Sequence, residues 1–147
     1  MATVERSGAQ THAVFNQPPP LEDYNPFDAD RPLAEALRRE GAEWAEGEAR
    51  ELGAICGSRQ TIRWGFEANE KVPKLRTHDR YGHRVDEVEF DTSWHELLRV
   101  GVGHGLHASP WREPGPGAHV ARAVKFMLLM QAESGVGCPI SMTYSAI

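Results

Sequence analysis

The segment from residue 78 to residue 96, HDRYGHRVDEVEFDTSWHE, concentrates residue types that bind metals and transfer protons. Histidine nitrogens and carboxylate oxygens are common zinc ligands, and a histidine beside a carboxylate can work as a general acid or base. Two kinds of site are therefore open here, the metal centre of a hydrolase and an acid–base pair. The candidate side chains are three histidines and six carboxylates: His78, His83, His95, Asp79, Asp86, Glu87, Glu89, Asp91 and Glu96.

The spacing of these residues argues against both kinds of site. Metal ligands must converge on one point, commonly as HxxxH or HExxH on one face of a helix. His78 and His83 flank a predicted turn, and His95 lies in the predicted first turn of a helix, so they share no regular face. The carboxylates have charged neighbours rather than the apolar pocket that raises the pKa of a catalytic acid. We expect no metal ligand and no catalytic residue in this segment, and we interpret it as a connector.

Other motifs along the chain also predict structure rather than chemistry. The glycine-rich GVGHG at residues 101–105 follows a predicted helix, whereas a dinucleotide-binding loop follows a strand. His104 and His107 lie three residues apart, but Gly105 interrupts the helix that would bring them together. Ser141 and Thr143 have no base nearby, and there is no GxSxG motif. None of these residues is a candidate catalytic residue.

The sulfur-containing residues are predicted to fill the core. Cys56 and Cys138 are the only two cysteines, too few for a disulfide framework, and we expect both to be buried reduced thiols. Met127, Met130 and Met142 recur among apolar residues near the C-terminus. We expect these methionines to pack inside the protein rather than to form a binding surface.

Composition limits the class of protein. The chain has 147 residues, the size of one domain, and a net charge of −5 from 21 acidic and 16 basic residues. The basic residues are dispersed, which disfavours a nucleic-acid-binding face. No apolar stretch approaches the roughly 20 residues of a membrane span, and the N-terminus lacks the apolar core of a secretory signal. We therefore expect a cytoplasmic protein without a membrane partner.

Residues 1–31 are predicted to form an extended N-terminal arm. The triple proline Pro18–Pro20 excludes helix and favours polyproline geometry. The arm nevertheless carries large apolar side chains, so we expect it to lie over another surface, within this chain or on a partner. These side chains are Phe15, Leu21, Tyr24 and Phe27.

Helix-start signals follow the arm. Asp30 precedes Arg31-Pro32 as an N-cap with proline in the first turn. Gly41 separates this helix from the next one, and Ser58 is the predicted N-cap of a third helix. The third helix places Ile62 and Phe66 four residues apart, so we expect both to face the core.

The second half of the chain continues the pattern. Residues 79–82 have the composition of a turn, and Val85, Val88 and Phe90 follow at a spacing that indicates a short strand pair or extended connector. Ser93 and Glu96 match a capping box that opens a helix, and residues 109–117 are predicted to be a loop. Residues 118–134 form the strongest predicted helix, apolar almost all round. A last helical segment, GCPISMTYSAI, ends without a cap.

Together these elements predict an all-α fold. It is a bundle of about six helices in residues 32–147, with the extended arm at residues 1–31 and one short β-hairpin as an additional element. The uncapped, apolar C-terminus indicates a domain that lacks what normally follows it.

Several strings, taken in order, resemble one family. The strings are THAVFNQPPPLEDYNPFDAD, LRREGAEW, KLRTHDRYGHRVDEVEF, the Trp94-His95 pair, GLHASPW, GAHVARAVKFMLLMQAE and CPISMTYSA. With these strings the chain resembles, from Thr11 to Ala146, the N-terminal domain of AidB-like proteins, the adaptive-response branch of the acyl-CoA dehydrogenase superfamily.

The resemblance implies a fold and a function for a longer protein. It implies the N-terminal part of the acyl-CoA dehydrogenase fold, followed by a flavin-binding β domain and a second helical bundle. It implies FAD, a homotetramer, an oxidoreductase reaction on acyl-CoA and a link to the DNA alkylation response. Acyl-CoA or DNA would be partners of the full-length protein only. The family positions for flavin binding and catalysis have no counterpart here, so no catalytic, cofactor-binding or metal residue is carried over.

Two functional hypotheses follow. The first is a fragment truncated before the β domain, which serves packing and oligomerisation and is inactive and free of flavin on its own. The second is a stand-alone helical interaction module without flavin chemistry. A complete module should close its apolar surface, whereas a fragment should leave a large apolar patch exposed.

Overall fold

The computed structural model describes residue 11 and residues 13–146 and confirms the all-α fold. Six of its helices have nine or more residues, two have four, and one hairpin is the β structure of this part of the chain. The elements are α1 (Pro26–Ala29), α2 (Arg31–Arg39), a 3₁₀ helix (Glu43–Ala45), α3 (Glu46–Cys56), α4 (Arg59–Glu70), β1 (Lys74–His78), β2 (Arg84–Glu89), α5 (Thr92–Gly103), α6 (Ser109–Arg112), α7 (Ala118–Ala132) and α8 (Gly137–Ala146).

Helix α7 is the centre of the bundle. It packs against α2, α3, α4, α6 and α8. Its buried apolar residues include Val124, Leu128 and Leu129, which join Leu37, Leu52 and Leu97 in a single core. The prediction that this helix is buried between several neighbours is confirmed, although Met127 is 53% exposed on its outer side.

Two of the predicted helix starts are confirmed at the level of individual hydrogen bonds. The Asp30 carboxylate accepts from the Leu33 N–H at 3.0 Å, and the Ser58 hydroxyl accepts from the Thr61 N–H at 3.2 Å. Each bond satisfies one of the backbone donors that the first turn of a helix leaves free. These caps fix where α2 and α4 begin.

The predicted capping box at α5 is wrong. Asp91 is the N-cap, and its carboxylate accepts from the Ser93 N–H at 3.0 Å. Ser93 is buried, and its hydroxyl donates to Glu67 of α4 at 2.7 Å. Because this bond to α4 occupies the Ser93 hydroxyl, the cap is left to the aspartate two residues earlier. Glu96 instead pairs with Arg99.

The predicted core face of α4 is also wrong. Phe66 is 68% exposed and Ile62 is only half-buried, while Thr61 and Gly65 face the bundle. A Cβ atom at Gly65 would lie 2.3 Å from the Ala132 carbonyl oxygen, so only glycine fits there. Small residues let α4 approach the end of α7 closely, Trp64 packs against the core, and Phe66 points outward.

The hairpin is confirmed, but it stands away from the core. Strands β1 and β2 pair antiparallel, with Leu75 opposite Val88 and a bulge near the turn. Gly82 makes the turn with φ +86°. Val85 and Val88 are nearly half-exposed and do not anchor the segment. Only Phe90 does so, because its ring stacks on Trp94 with 4.0 Å between centroids.

Two segments that were predicted to be irregular contain a helical turn. Helix α1 lies within the predicted arm, and its Phe27 is fully buried in the core. Asn25 caps this turn, accepting from the Phe27 N–H at 3.0 Å. Helix α6 lies within the predicted loop at residues 109–117, where Pro110 is buried. In both turns a proline occupies one of the first two positions, where its missing N–H costs nothing.

Candidate functional site

The histidines of the hairpin segment have separate partners. His83 Nδ1 lies 2.9 Å from Asp79 Oδ2, and the same carboxylate accepts from the Tyr81 N–H and the His83 N–H to hold the turn. His78 Nδ1 lies 3.1 Å from the Thr77 hydroxyl. The His95 ring packs edge-on against Trp94. Each histidine thus serves local structure.

No metal centre is assembled in the part of the chain that the structure describes. Within residues 11 and 13–146, no three His, Cys, Asp or Glu side chains are arranged to hold a metal ion. The strand pair and the start of α5 spread the candidate residues over an exposed surface. The geometry offers neither the converging ligands of a metal site nor the apolar enclosure of a catalytic carboxylate.

A buried lysine, Lys125, is a feature that sequence reasoning missed. Its Nζ donates to Glu48 Oε2 at 2.8 Å and to the His104 carbonyl oxygen at 3.1 Å. It borders a cavity of about 280 Å³ that Trp44, Glu48, Glu51 and Glu113 also line. The sequence signal was a lysine within the mainly apolar segment from Val124 to Met130. Because Lys125 is paired and the other lining charges are mainly carboxylates, the cavity does not suit an anionic ligand.

A cationic and aromatic cluster anchors the end of α8. The Arg122 guanidinium lies over the Tyr144 ring at 4.1 Å and over the Phe126 ring at 4.5 Å, and its Nε donates to the Leu106 carbonyl oxygen at 2.8 Å. Burial lowers the pKa of Arg122. The Trp111 indole N–H donates to the Tyr144 carbonyl oxygen at 3.0 Å. These contacts hold α8 against α6 and α7.

Helix α8 presents an exposed surface without a single charge. Its sequence is GCPISMTYSA, and only Gly137 and Ile140 are buried. A helix on the surface of a globular protein normally carries charged or polar residues on its outer face. Here the outer face is made of uncharged residues, Met142 with 68% exposure among them. This face, with Met142 beside polar Thr143 and Ser145, is the candidate interaction surface of α8.

The prediction that the sulfur-containing residues fill the core is wrong for three of them. Met142 and Met127 are exposed rather than core residues, and Cys138 is exposed at the start of α8. Cys56 is buried as predicted, and burial raises the pKa of its thiol to about 12. The sequence could not distinguish the buried residues from the exposed ones, because the same apolar residue types occur in a core and on an exposed face.

Solved structures with the same arrangement of helices define the class of protein. The chain is similar to Caenorhabditis elegans ACDH-11, solved in complex with C11-CoA, with a TM-score of 0.76 and 25% identity over 96% of this chain and 24% of that chain. It is equally similar to Bd2924 in its apo-form, with a TM-score of 0.76 and 25% identity over 90% of this chain and 27% of that chain. The bundle is therefore the N-terminal helical part of the acyl-CoA dehydrogenase fold.

Sequence comparison is more specific. Residues 16–147 match the family described as the adaptive response protein AidB N-terminal domain, and the chain belongs to this family. It is 41% identical over 138 residues to AidB of Escherichia coli (strain K12), whose name assigns it provisionally to the acyl-CoA dehydrogenases. The match covers 93% of this chain and 26% of that protein, so the chain spans about a quarter of the length of the relatives it matches.

The helices of the described residues also bear on membrane insertion. None of them is both long enough and apolar enough to cross a bilayer.

Proposed function

We propose that this chain acts as the N-terminal helical domain of an AidB-like, FAD-dependent acyl-CoA dehydrogenase homologue with a role in the DNA alkylation response. Its part in that protein is packing and oligomerisation within a homotetramer in the cytoplasm. The domain comprises residues 32–147, preceded by the arm at residues 1–31. The observation that carries the proposal is the uncharged outer face of α8, in a chain that spans a quarter of its relatives' length.

Neither the cavity beside Lys125 nor the groove along α4 fits a flavin. The cavity beside Lys125 has about 280 Å³, below the roughly 300–1,000 Å³ of pockets that enclose drug-sized ligands. Its carboxylates would repel the pyrophosphate of FAD. A larger groove along α4 has about 600 Å³, but its arginines, Arg59 and Arg63, are already paired with carboxylates. We therefore place flavin binding, acyl-CoA binding and dehydrogenation outside this domain.

The proposal assigns α8 a specific contact. Its outer face packs against the part of the protein that carries the flavin, and burial of Met142 and its uncharged neighbours stabilises that contact. The Arg122–Tyr144 cluster and Ile140 hold α8 in place for it. Acyl-CoA or DNA would meet the complete protein and not this domain alone.

The visible spectrum of the purified chain tests the assignment. We expect no flavin absorption after purification in the presence of added FAD, and no acyl-CoA oxidation with an artificial electron acceptor. A stoichiometric bound flavin, or turnover of an acyl-CoA, would show that this domain holds the redox site itself.

A further inference from the structure

Arg122 is a partly buried cation without an anionic partner. Each other arginine of residues 13–146 has a carboxylate oxygen within 4.0 Å, except Arg80, which lies exposed on the hairpin turn. An exposed cation such as Arg80 is solvated by water, whereas a cation that is partly removed from water is normally paired. The unpaired charge at Arg122 is therefore the unusual one.

The Arg122 guanidinium is held in place with unused hydrogen-bond donors. It lies 4.1 Å from the centroid of the Tyr144 ring and 4.5 Å from that of Phe126. Its Nε–H donates to the Leu106 carbonyl oxygen at 2.8 Å, the one hydrogen bond that its five N–H donors make to the described residues. Nη2 is enclosed and has no acceptor among those residues. The group is therefore positioned to bind a further acceptor.

A second unpaired atom lies close along the chain. His107 follows Leu106, and its Nδ1 is also enclosed without a hydrogen-bond partner. In the part of the chain that the structure describes, these two nitrogens are the buried side-chain polar atoms that lack one. Buried polar atoms of native proteins mostly have a partner. Both exceptions occur where α7 meets the segment between α5 and α6, so we expect this junction to receive a polar group from outside the described residues.

A carboxylate is the group that this junction suits best. A guanidinium donates in a planar fork that matches the two oxygens of a carboxylate, and stacking on aromatic rings keeps that fork oriented. One guanidinium also matches the single charge of a carboxylate. A phosphate monoester carries roughly −1.5 to −2 at neutral pH, and the other cation of α7, Lys125, is already paired with Glu48.

The position of Arg122 indicates where the carboxylate comes from. Tyr144, which covers the guanidinium, lies in the last turn of α8, and Trp111 beside it is 46% exposed. The junction thus adjoins the outer face of α8. We propose that a side-chain carboxylate of the flavin-bearing part of the protein binds Arg122 when that part covers α8. The source of the carboxylate rests on the function proposed above, whereas the carboxylate-binding chemistry of Arg122 does not.

Titration of the purified chain with sodium acetate tests the chemistry, with sodium chloride at the same ionic strength as the reference. We expect acetate to shift the Arg122 Nε–H resonance in ¹⁵N NMR spectra and to raise the Tm by about 1 °C or more. Arg122→Met should abolish the gain in Tm. Arg80→Met is the matched control and should retain it, because Arg80 is also unpaired and also lies over an aromatic ring, that of Tyr81 at 5.2 Å.

Three results of this titration would overturn the proposal. They are an Arg122 resonance that does not respond to acetate, a gain in Tm that survives Arg122→Met, and a stronger response to inorganic phosphate than to acetate. The NMR measurement uses the wild-type chain, so it decides the question even if Arg122→Met does not fold.

A chimera in which this chain replaces the matched region of Escherichia coli AidB tests the source. We expect Arg122→Met to weaken FAD binding by the chimera at least tenfold, Arg122→Lys to weaken it less because the charge remains, and Arg80→Met to leave it unchanged. Acetate binding at Arg122 of the chain, together with unaltered FAD binding by the Arg122→Met chimera, would show that the carboxylate is a free ligand and overturn the proposed source. A chimera without any flavin would instead contradict the proposed function, while the acetate titration still decides the chemistry of Arg122.

Discussion

The hairpin and helix α8 are both largely exposed, yet they are built differently. The hairpin carries ion pairs, with Arg76 and Glu89 at 2.7 Å and Arg84 and Asp86 at 2.6 Å, whereas α8 carries no charge. Charged pairs suit a surface that stays in water, and an uncharged helix suits one that becomes covered. The two surfaces therefore differ in charge, although the hairpin also exposes apolar side chains, among them Leu75 and Val88.

The two regions are also attached differently. Each strand of the hairpin contacts mainly the other, and Phe90 stacked on Trp94 joins the hairpin to α5. Helix α8 is fixed by buried Ile140, which packs near Gly101, and by Tyr144 beneath Arg122. Helix α8 is therefore attached to the bundle by buried contacts, whereas the hairpin is a peripheral connector.

The largest expected effect is on the anchor of α8. Ile140→Ala should lower the free energy of unfolding by about 2–5 kcal/mol, because it leaves a cavity among fully packed neighbours. Leu75→Ala on the hairpin is the comparison, and we expect it to stay within about 0.5 kcal/mol since the side chain is 62% exposed. Urea unfolding followed by circular dichroism measures both. Equal losses of unfolding free energy would mean that the hairpin is packed into the core as fully as α8.

Cysteine reactivity provides the next contrast. Cys138 on the outer face of α8 should react with a thiol reagent at least about 100 times faster than Cys56, because only an accessible thiolate reacts. Burial raises the pKa of Cys56 to about 12, which suppresses its thiolate at neutral pH. Mass spectrometry of time points gives both rates. Comparable modification rates for the two cysteines would show that Cys138 is not accessible on α8.

The N-cap of α5, Asp91, which follows the hairpin, is expected to have a smaller effect on stability. Asp91→Ala should lower the Tm by a few degrees at neutral pH, whereas Glu96→Ala should have little effect. The hydrogen bond from the Ser93 backbone N–H is the main cause that lowers the pKa of Asp91, and Lys71 adds to it. Because the folded-state pKa is depressed, the stabilisation is present above the ordinary aspartate pKa and is lost as the pH falls through the folded-state value. The two proteins should therefore converge in Tm at acid pH, and a constant difference would exclude Asp91 as the cap.

The smallest effect concerns the charged face of the hairpin. A double-mutant cycle with Arg76→Met and Glu89→Gln should give a coupling below about 1 kcal/mol that shrinks with added salt, as for other exposed ion pairs. Thermal unfolding at low and high salt measures it. A larger, salt-independent coupling would mean that this face is covered in solution.

These contrasts also show how far the sequence could predict the structure. Asp30 and Ser58 were predictable because an N-cap acts within one turn of the chain. The capping box at Ser93 failed because a contact with Glu67, 26 residues away, decides the role of that hydroxyl. A local sequence pattern does not predict such tertiary contacts.

The candidate surfaces were less predictable than the fold. Phe66 and Met142 were assigned to the core because apolar spacing does not say which face meets the bundle. Lys125 was missed because its burial depends on Glu48, 77 residues away. The identification as an AidB N-terminal domain came from ordered strings of sequence, and the family comparison confirmed it.

The most direct measurement is the flavin content of a chimera in which this chain replaces the matched region of Escherichia coli AidB. We predict that the chimera binds as much flavin as its unmodified parent. Met142→Glu on α8 should reduce that flavin content, while Val88→Glu on the hairpin should not. A folded chimera without flavin, or a Met142→Glu variant that retains it fully, would contradict the claim that α8 joins this domain to the flavin-bearing part.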